Sequence, residues 1–386
     1  MISSSGEFAG VALPKRSGDR QSAGGRLRRV GLVLTWLFGV VALATTLCSF
    51  LPFKSWWVRV FDFPRPQIAV VALLSLASLA ALRWKQRAWQ DWVFAALLLG
   101  ASIYQGLRIV PYSPLVTPQA SLSEKPAPER QLKLFVANVL MHNEDPTRLR
   151  DIIRAEQSDV LLLVETNQRW VDDLASVTQS YPHQLLKPLE NTYGLAFYSR
   201  LKLEEAELRY LVQSDIPSVR TKLVLPSGDQ IQFYGIHPRP PVPTEHDRST
   251  ERDAELLLVA REARDSKLPV IVAGDLNDVA WSTTTHRFQR ISRLLDPRIG
   301  RGLFPTFHAE YPLMRWPLDH VFFSKRLQLV ELNRLEGFGS DHFPISISLC
   351  LEPAEASENR APEQPDQDDH ESAQQTIQDA EQANSP

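Results

Sequence analysis

The stretch Gly339–Ser346, with the sequence GSDHFPIS, places an acid and an imidazole side by side at the start of an apolar segment. Asp341 and His342 are both costly to bury unless they are paired or hydrogen-bonded. Taken alone, the pair is compatible with surface or capping residues, because Asp-His dipeptides occur by chance. The pair becomes informative only if other strands of the chain carry similar residues at their ends.

Residues 131–352 show a mixed pattern of strands and helices. Short apolar runs bounded by turn residues predict strands, and apolar residues spaced three and four apart predict helices. So many antiparallel-looking strands argue against a doubly wound nucleotide-binding fold and favour two packed sheets flanked by helices. We predict strands at residues 133–139, 159–165, 193–199, 219–225, 230–237, 269–278, 318–324, 327–332 and 343–351, and helices at residues 146–158, 167–181, 248–266 and 283–295.

Charge is distributed unevenly over the 386 residues, whose net charge is −3. Residues 1–130 contain 15 basic and 6 acidic residues, residues 131–352 contain 26 and 30, and residues 353–386 contain 1 and 9. The three regions therefore differ in physical character. The two cysteines, Cys48 and Cys350, indicate neither a disulfide framework nor a thiolate metal site.

Three uncharged apolar segments within residues 30–110 predict transmembrane helices. Val30–Phe53 has no charged residue over 24 positions, which is long enough to cross a bilayer. Gln67–Leu82 and Trp92–Leu107 are uncharged over 16 positions each, so a buried helical hairpin is an alternative for these two. A cleaved signal peptide is an alternative for the first segment, but its apolar run is too long and no suitable cleavage site follows it cleanly.

Lysines and arginines around these segments predict their orientation, because cytoplasmic loops are enriched in both residues. Residues 1–29 form a basic tail, and the second loop, RWKQR at residues 83–87, is also basic. With three crossings of an inner (cell) membrane, the tail and the second loop are cytoplasmic and the C-terminal domain lies on the periplasmic, or extracytoplasmic, side. The orientation reverses if the second and third segments do not both cross.

Two further regions flank the predicted folded domain of residues 131–352. Residues 111–130 are rich in Pro and Ser and predict a linker. Residues 353–386 are acidic and almost free of large apolar side chains, so we predict a disordered tail that buries too little surface to fold.

Polar residues without a local structural role stand at the ends of six predicted strands. Each has an ordinary interpretation when taken singly, as a turn cap, a helix cap or a loop histidine. Together they are expected if the strand ends converge on one cleft, where the ends of a sheet hold a site rigidly. These residues are Asn138, Glu165, His237, Asp275, Asn277, Asp319, Asp341 and His342.

These residue types point to a divalent cation and a phosphate ester. Several of the acids have no basic partner nearby in the sequence, and a hard cation such as Mg²⁺ prefers carboxylate oxygens together with water. Two imidazoles beside such an ion suit phosphate ester hydrolysis. One would activate water, and the other would stabilise the charge on the oxyanion or the leaving group.

In order and spacing, a set of seven segments resembles the endonuclease/exonuclease/phosphatase superfamily, whose fold is that of deoxyribonuclease I. The resemblance covers residues 132–351, and GDLN followed by SDH is its most specific part. It implies an α/β (α+β) fold, a four-layer αββα sandwich of two mostly antiparallel sheets. The transmembrane helical region before it is similar to that of membrane-attached bacterial members. The segments are NVL, LLLVET, YGLAFYSR, YGIHPRPP, VAGDLND, LDHVF and GSDHFPI.

The same resemblance implies a site for Mg²⁺ or Mn²⁺. Glu165 would ligate the ion, Asn138 would lie in or beside its coordination shell, and Asp341 would face it. Two more residues are candidates for substrate contact: Arg239, two residues after the predicted site histidine of its strand, and His308 in the segment FPTFH.

The catalytic roles implied by the resemblance fall on five residues. His342 would contact the scissile phosphate and act in proton transfer, with its ring oriented by Asp319. Asp275 would align or deprotonate the attacking water. Asn277 would donate a hydrogen bond to a phosphate oxygen or contact the ion, and His237 would be a second donor to the phosphate.

The expected function is that of a membrane-anchored, metal-dependent phosphoesterase that cleaves phosphodiester bonds, with a nuclease as the first choice. A phosphatase or phospholipid phosphodiesterase is the alternative, favoured by the tether next to the bilayer. The slight acidity of residues 131–352 also favours it, because nucleic-acid binding depends on Lys and Arg. A third possibility is an inactive binding module, against which the complete set of strand-end residues argues. No protein partner is predicted.

Overall fold

The computed structural model describes residues 18–83, 88–352 and 359–384, and the side chains of the first helix from residue 25 onward. The chain forms two compact units. Residues up to 47 and residues 67–105 make a helical unit, and residues 48–66 with the chain from 106 onward make a mixed unit. Much of the predicted basic tail, and Lys85 and Arg87 of the predicted second loop, lie outside the described residues.

The secondary structure of the described residues comprises nine α-helices and eleven strands, with three short 3-10 turns. The helices are α1 (Gly18–Cys48), α2 (Trp56–Arg59), α3 (Arg65–Leu82), α4 (Trp89–Ile109), α5 (Thr147–Glu156), α6 (Gln168–Thr178), α7 (Thr250–Asp265), α8 (Thr283–Ser292) and α9 (Gln367–Ala383). The strands are β1 (Gln131–Asn138), β2 (Val160–Val164), β3 (His183–Lys187), β4 (Leu195–Ser199), β5 (Lys202–Arg209), β6 (Ser218–Val224), β7 (Gln230–Gly235), β8 (Val270–Asp275), β9 (Asp319–Phe323), β10 (Leu327–Arg334) and β11 (Ile345–Leu351).

The helical unit contains three helices that are long and apolar enough to cross a membrane, which is what the sequence predicts. At 1.5 Å per residue, the 18 residues of α3 extend about 27 Å, close to the thickness of the hydrocarbon core. The first helix ends at Cys48, earlier than the predicted end at Phe53, and Pro52 beyond it disfavours helical backbone in the residue before it. Stacking of Trp36 on Phe94, with ring centroids 3.9 Å apart, packs α1 against α4.

The mixed unit is built on two sheets. One has six strands in the order β10-β11-β1-β2-β4-β3, and the other has five in the order β5-β6-β7-β8-β9. Among the named strands of the described residues, only the β1–β2 and β7–β8 pairs are parallel. The predicted two mostly antiparallel sheets are therefore confirmed.

Four layers result because the central strands are apolar on both faces. Leu134 and Val136 of β1 belong to the core between the sheets, where Phe197 and Phe233 from opposite sheets meet with ring centroids 5.1 Å apart. Alternate β1 residues such as Phe135 pack on α5 and α6. On the other side, β7 and β8 pack on α7, α8 and α9. The arrangement is the αββα sandwich that the sequence resemblance implies.

Two strands, β3 and β5, were not predicted. They occupy the edges of the two sheets, and β5 carries the sequence KLEEAELR. Charged edge strands are common because they discourage pairing with other chains. In β5, the solvated charged side chains remove the apolar run by which the other strands were predicted.

The prediction of a disordered acidic tail is wrong for residues 367–383, which form α9. Asp366 caps the helix, and Asp369 accepts two hydrogen bonds from the Arg290 side chain, at 2.6 Å to Oδ2 and 2.5 Å to Oδ1. Three residues of α9 are buried against α7 and α8, the helices that cover the second sheet: Ala373, Ile377 and Ala380. Small apolar residues four and three positions apart are enough to form a narrow packed stripe. Residues 353–358 lie outside the described part.

The predicted linker, residues 111–130, has little regular structure, but it is packed against the sandwich. Ser123 N donates to Leu329 O at 2.8 Å, and Ala120 is fully buried. The compact unit therefore extends beyond the predicted domain of residues 131–352.

The loop between α1 and α3 also belongs to the mixed unit. Trp281 Nε1 donates to the carbonyl of Asp62 at 2.7 Å, and Ser249 N donates to Lys54 O at 2.8 Å. Phe63 meets Trp316 edge to face with centroids 5.7 Å apart. Residues on both sides of a predicted pair of membrane crossings are thus parts of one folded body.

Candidate active site

The polar strand ends converge at one edge of the sandwich. The parallel strands β1 and β2 end at Asn138 and just before Glu165, and β8 ends at Asp275. Asp275 pairs across the sheet with Asp319, the first residue of the antiparallel strand β9. His342 lies three residues before β11, which runs antiparallel to β1.

Asp275 lies at the centre of this cluster and is 1% exposed. Its Oδ2 accepts a hydrogen bond from Asn138 Nδ2 at 3.1 Å and lies 3.6 Å from His342 Nε2 and 3.9 Å from His237 Nε2. Its Oδ1 accepts a hydrogen bond from the backbone N of Asn277 at 3.0 Å. The structure therefore brings together side chains that are up to 204 residues apart, in the way the strand-end pattern predicts.

His342 and Asp319 form a buried pair, with 2.8 Å between Nδ1 and Oδ2. Burial of the ring lowers the pKa of His342, but the charges of Asp319 and then Asp275 outweigh it and raise this pKa to about 10. The imidazole is therefore protonated at neutral pH, with Nε2 facing Asp275. Ser340 holds the turn before it, because its Oγ donates to Asn138 O at 2.8 Å and accepts from His342 N.

Three residues at this edge of the sandwich have a positive φ, which most residues avoid. Gly274 has φ of 145°, and a Cβ at this position would lie 1.8 Å from the carbonyl oxygen of Ile236. Only glycine lets β8 approach the end of β7 this closely, which brings Asp275 next to His237. Glu165 and Asn277 are in the left-handed region, with φ of 59° and 50°. Such conformations concentrate at functional sites.

Glu165 is a carboxylate in a poorly hydrated position. Burial raises its pKa to about 7, although the hydrogen bond from Asn138 Nδ2 to Oε1, 2.7 Å long, opposes the increase. The negative charges of Asp275 and Asp341 raise this pKa further, which indicates that Asp341 is close to the same cluster. Asp341 itself is half-buried, and its backbone carbonyl accepts a hydrogen bond from Ala309 N.

These residues fit a divalent cation. Among the described residues, no Lys or Arg forms an ion pair with any of the four acids of the cluster, whose close contacts with basic side chains are those to His237 and His342. Asp319 Oδ1 is buried without a hydrogen-bond partner in the described part of the chain. A bound cation with oxygen preference would offset this excess of negative charge. The acids are Glu165, Asp275, Asp319 and Asp341.

Two arrangements of ligands are available. Ligand atoms of Asp275, Asp319 and His342 all lie within 4.8 Å of one another. The hydrogen bond between Asp319 and His342 accounts for that proximity and occupies Nδ1 of the ring. The predicted set, Glu165 with Asn138 and Asp341, leaves the histidine–aspartate pair intact. The hardness of its oxygen donors also suits Mg²⁺ or Mn²⁺ better than an imidazole does.

His237 and Asn277 border the cluster. His237 is buried, which lowers its pKa, and its Nδ1 has no hydrogen-bond partner among the described residues. One amide proton of Asn277 goes to Pro238 O at 3.0 Å, so the second remains for another acceptor. The ring of Tyr193 lies 5.9 Å from that of His237, and the Arg239 guanidinium lies 5.1 Å from the Tyr193 ring.

The two predicted substrate-contact residues are less central than the strand-end residues. Arg239 forms an ion pair with Asp215 at 2.6 Å. His308 is half-buried and follows Phe307, whose ring lies 5.0 Å from that of His342. Both are therefore one aromatic ring away from the histidines of the cluster.

The sequence analysis missed three residues that shape the site: Ser340, Phe307 and Trp316. Ser340 stands inside the GSDH segment and could have been found there as a turn-forming hydroxyl. The aromatic residues follow from packing alone, as Phe307 lies between His342 and Trp316. His320 has a structural role, since its Nε2 donates to Asp278 O at 2.9 Å and its Nδ1 accepts from Arg298.

Comparison with known families gives one match. Residues 136–342, more than half of the chain, match the family described as Endonuclease/Exonuclease/phosphatase family. The match begins in β1 and ends at His342, so it contains every residue of the cluster. No curated protein matches the chain significantly.

Solved structures with similar folds come from several sources. A humanised TDP2 from D. rerio has 16% identity and a TM-score of 0.49, with 57% of this chain and 99% of that one covered. An endonuclease/exonuclease/phosphatase from Beutenbergia cavernae has 19% identity and a TM-score of 0.47, covering 58% and 72%. The human Nocturnin catalytic domain with bound sulfate has 16% identity and a TM-score of 0.46, with 59% of this chain and 96% of that one covered. Likenesses at this level assign no substrate to the present chain.

Proposed function

The chain belongs to the endonuclease/exonuclease/phosphatase family, and on this premise we propose that it is a membrane-anchored, divalent-metal-dependent phosphodiesterase, with nucleic acid as its first-choice substrate. Membership implies a hydrolase that acts on phosphoesters. The observation that carries the proposal is the position of Asp275, whose Oδ2 lies 3.1, 3.6 and 3.9 Å from side-chain nitrogens of Asn138, His342 and His237.

Asp275 is the proposed base. Its Oδ1 accepts a hydrogen bond from the backbone N of Asn277. Its Oδ2 accepts one from Asn138 Nδ2 and faces both histidines, and it is the oxygen proposed to take a proton from the attacking water. Burial raises the pKa of Asp275, and the charge of His342 opposes the increase. The ionised carboxylate is then a stronger base than an exposed aspartate.

His342 is the proposed cationic donor. Asp319 accepts a hydrogen bond from Nδ1–H and fixes the orientation of the ring, which leaves the Nε2 proton for a phosphate oxygen or the leaving group. Asn277 supplies its second amide proton, and His237 supplies a ring nitrogen at the same edge. Three donors can therefore stabilise the negative charge that develops on the phosphate.

Glu165, with Asn138 and Asp341 beside it, would hold Mg²⁺ or Mn²⁺. The ion supplies Lewis-acid polarisation of the phosphate and makes bound water more acidic. Asn138 has a positioning role, because its Nδ2 contacts both Glu165 and Asp275. The same amide thus links the proposed metal ligand to the proposed base.

A phospholipid phosphodiesterase or phosphatase is the second candidate. The three helices that are long and apolar enough to span a membrane favour it, since they would keep the site near lipid head groups. Asp275 and His342 would serve either substrate, so the chemistry of the cluster does not distinguish a nuclease from a lipid phosphodiesterase or phosphatase.

The fold supports the predicted multi-pass topology. The loop that contains Lys54 and Asp62 follows the first candidate span, and the sandwich follows the third. Both are parts of one compact unit, joined by hydrogen bonds to Ser249 and Trp281. Two crossings between them return the chain to the same side of the membrane. Together with the basic residues of the tail, this supports a periplasmic site at the inner membrane.

A substrate panel tests the proposal. The full chain, purified in detergent, is incubated with plasmid DNA, RNA, phospholipid, bis(4-nitrophenyl) phosphate and 4-nitrophenyl phosphate, with Mg²⁺ or Mn²⁺ and then with chelator. Cleavage of nucleic acid that stops with chelator supports the nuclease, and turnover of lipid or monoester alone selects the second candidate. The matched variants are Asp275→Asn and Asp265→Asn, the latter at the exposed end of α7. Inactivity of the parent on every substrate would contradict the hydrolase assignment.

A further inference from the structure

A pair of arginines lies beside the candidate active site on the outside of the segment that precedes β11. The guanidinium carbons of Arg315 and Arg334 lie 4.9 and 4.2 Å from the centre of the Phe343 ring. The three side chains line an open pocket with a volume of about 600 Å³. Two cations that share one aromatic ring repel each other, so their placement needs an explanation.

Neither arginine has a carboxylate partner in the described part of the chain. Arg315 donates to the backbone carbonyls of His308 and Ala309, at 3.4 and 2.9 Å, and Arg334 donates to Pro305 O at 3.3 Å. Burial and then the charge of Arg315 lower the pKa of Arg334, which shows that the two charges oppose each other.

Glu336 is the one acid that lines the pocket, but it is exposed and forms no ion pair with either guanidinium. Each guanidinium has five N–H donors, and the hydrogen bonds to backbone use only some of them. The remaining donors, held in fixed orientation by Phe343, match the oxygens of a phosphate group.

The pocket adjoins the cluster through short covalent and hydrogen-bonded connections. Phe343 directly follows His342 in the chain. Ala309 N donates to Asp341 O at 2.7 Å, while Ala309 O accepts from Arg315 Nη2 at 2.9 Å. Ala309 therefore connects the Arg315 side chain to the backbone of Asp341, the proposed metal-facing acid.

We propose that Arg315 and Arg334 bind a phosphate group of the substrate that neighbours the scissile phosphate, so that the substrate is a strand with several phosphates. The inference rests on the proposed phosphodiesterase function and narrows its substrate class to nucleic acid. The scissile phosphate already has donors in His342, His237 and Asn277. The arginine pair is a second anion site, connected to Asp341 through the single residue Ala309. A polynucleotide supplies a second phosphate at the next nucleotide.

The test compares substrates with one and with several phosphates. The full chain and its Arg315→Gln/Arg334→Gln variant are assayed with bis(4-nitrophenyl) phosphate, with vesicles of an anionic phospholipid, and with an eight-nucleotide single-stranded DNA at several salt concentrations. The matched control is Arg200→Gln. Arg200 also lies over an aromatic ring, 4.6 Å from Tyr181, and donates only to neutral groups, but it follows β4 at the end remote from the site.

With the oligonucleotide, kcat/KM is expected to fall about tenfold for each arginine removed, because charge-assisted hydrogen bonds contribute on that order. The slope of log kcat/KM against log salt is expected to flatten by about 0.7, the value for the loss of one neutralised phosphate of a single strand. With the single-phosphate diester, the rate should stay within about twofold of the parent, as should all rates of Arg200→Gln.

Other outcomes overturn the inference in distinguishable ways. Equal losses on both substrates would mean that the arginines support the fold and not a second phosphate. A loss confined to an anionic phospholipid in vesicles would mean that the pocket binds lipid head groups. If the parent chain does not hydrolyse the single-phosphate diester or the oligonucleotide at all, the proposed function itself fails, separately from the role of the arginine pair.

Discussion

His342 Nδ1 lies 2.8 Å from Asp319 Oδ2 in a position where both side chains are almost fully buried. The pair connects β9 to the turn before β11, and the ring presents Nε2 to Asp275. A buried imidazolium is stable there because two carboxylates face it. The charge of the His342 ring therefore depends on Asp319.

Replacing Asp319 by Asn keeps the shape but removes the charge that raises the pKa of His342. The ring then loses its proton near or below neutral pH, so the cationic donor is absent and turnover should fall about 100-fold or more. The measurement is kcat/KM against pH for parent and variant. The basic limb of the variant profile should move to lower pH. An unchanged profile would contradict the assigned role of Asp319.

Glu165→Gln should weaken the metal site. The parent needs a carboxylate there to bind a hard cation, so the variant should require at least about tenfold more Mg²⁺ for half-maximal activity. Titration of activity with Mg²⁺ checks this. Glu207→Gln, on the exposed edge strand β5, is the matched control and should titrate like the parent. A similar change in both variants would exclude a specific role for Glu165.

The same carboxylate should make the metal-free protein less stable as pH rises. Burial raises the pKa of folded Glu165 to about 7 from 4.5, so the folded state holds its proton more tightly than the unfolded state. Its contribution is fully present below pH 4.5 and is lost as pH rises to about 7, on the order of 3 kcal/mol at most. The free energy of unfolding, measured against pH in the presence of chelator, should show this loss. The loss should be smaller in Glu165→Gln. Identical pH dependence in both proteins would contradict the assignment.

Ile377→Ala should destabilise the sandwich, because α9 covers helices of the second sheet. Removing a buried side chain of this size costs about 2–4 kcal/mol in the free energy of unfolding. Gln374→Ala, on the exposed face of α9, is the control and should change stability by less than about 0.5 kcal/mol. Thermal denaturation of the mixed unit measures both. Equal stability of the two variants would mean that α9 is not docked in solution.

Trp281→Phe should uncouple the first membrane loop from the sandwich. It removes the hydrogen bond to Asp62 O and leaves a cavity beside a smaller ring, so it should lower the free energy of unfolding by at least about 2 kcal/mol. Because Trp281 is outside the cluster, kcat should change little. Protease accessibility of the loop and activity are measured together. A large loss of kcat without a change in loop protection would show that Trp281 acts on the site directly.

Much of the fold and the cluster could be predicted because both are encoded locally. Strands such as β2 and β8 are apolar runs, and the polar residue that ends each run is visible as a break in the pattern. Asp275 and His342 were therefore predictable as members of one site. The edge strand β5 was not, because it carries five charged residues in place of an apolar run.

Features that depend on tertiary packing were out of reach. α9 is stable because Ala373, Ile377 and Ala380 find an apolar surface, which an acidic sequence does not reveal. The pairing of Arg315 with Arg334 across Phe343 joins residues 19 positions apart through the turn into β11. The docking of the Asp62 loop likewise joins residues separated by 219 positions. Such contacts follow from the arrangement of the layers and not from local pattern.

The most direct test is the location of a bound ion. Crystals of the full chain grown with Mn²⁺ should show one anomalous peak at the edge of the sandwich, within about 2.5 Å of a Glu165 carboxylate oxygen. The same peak should disappear in Glu165→Gln while the fold is retained. A peak bound only at a surface far from Glu165 and Asp275, or no peak at saturating Mn²⁺, would contradict a metal-dependent hydrolase at this site.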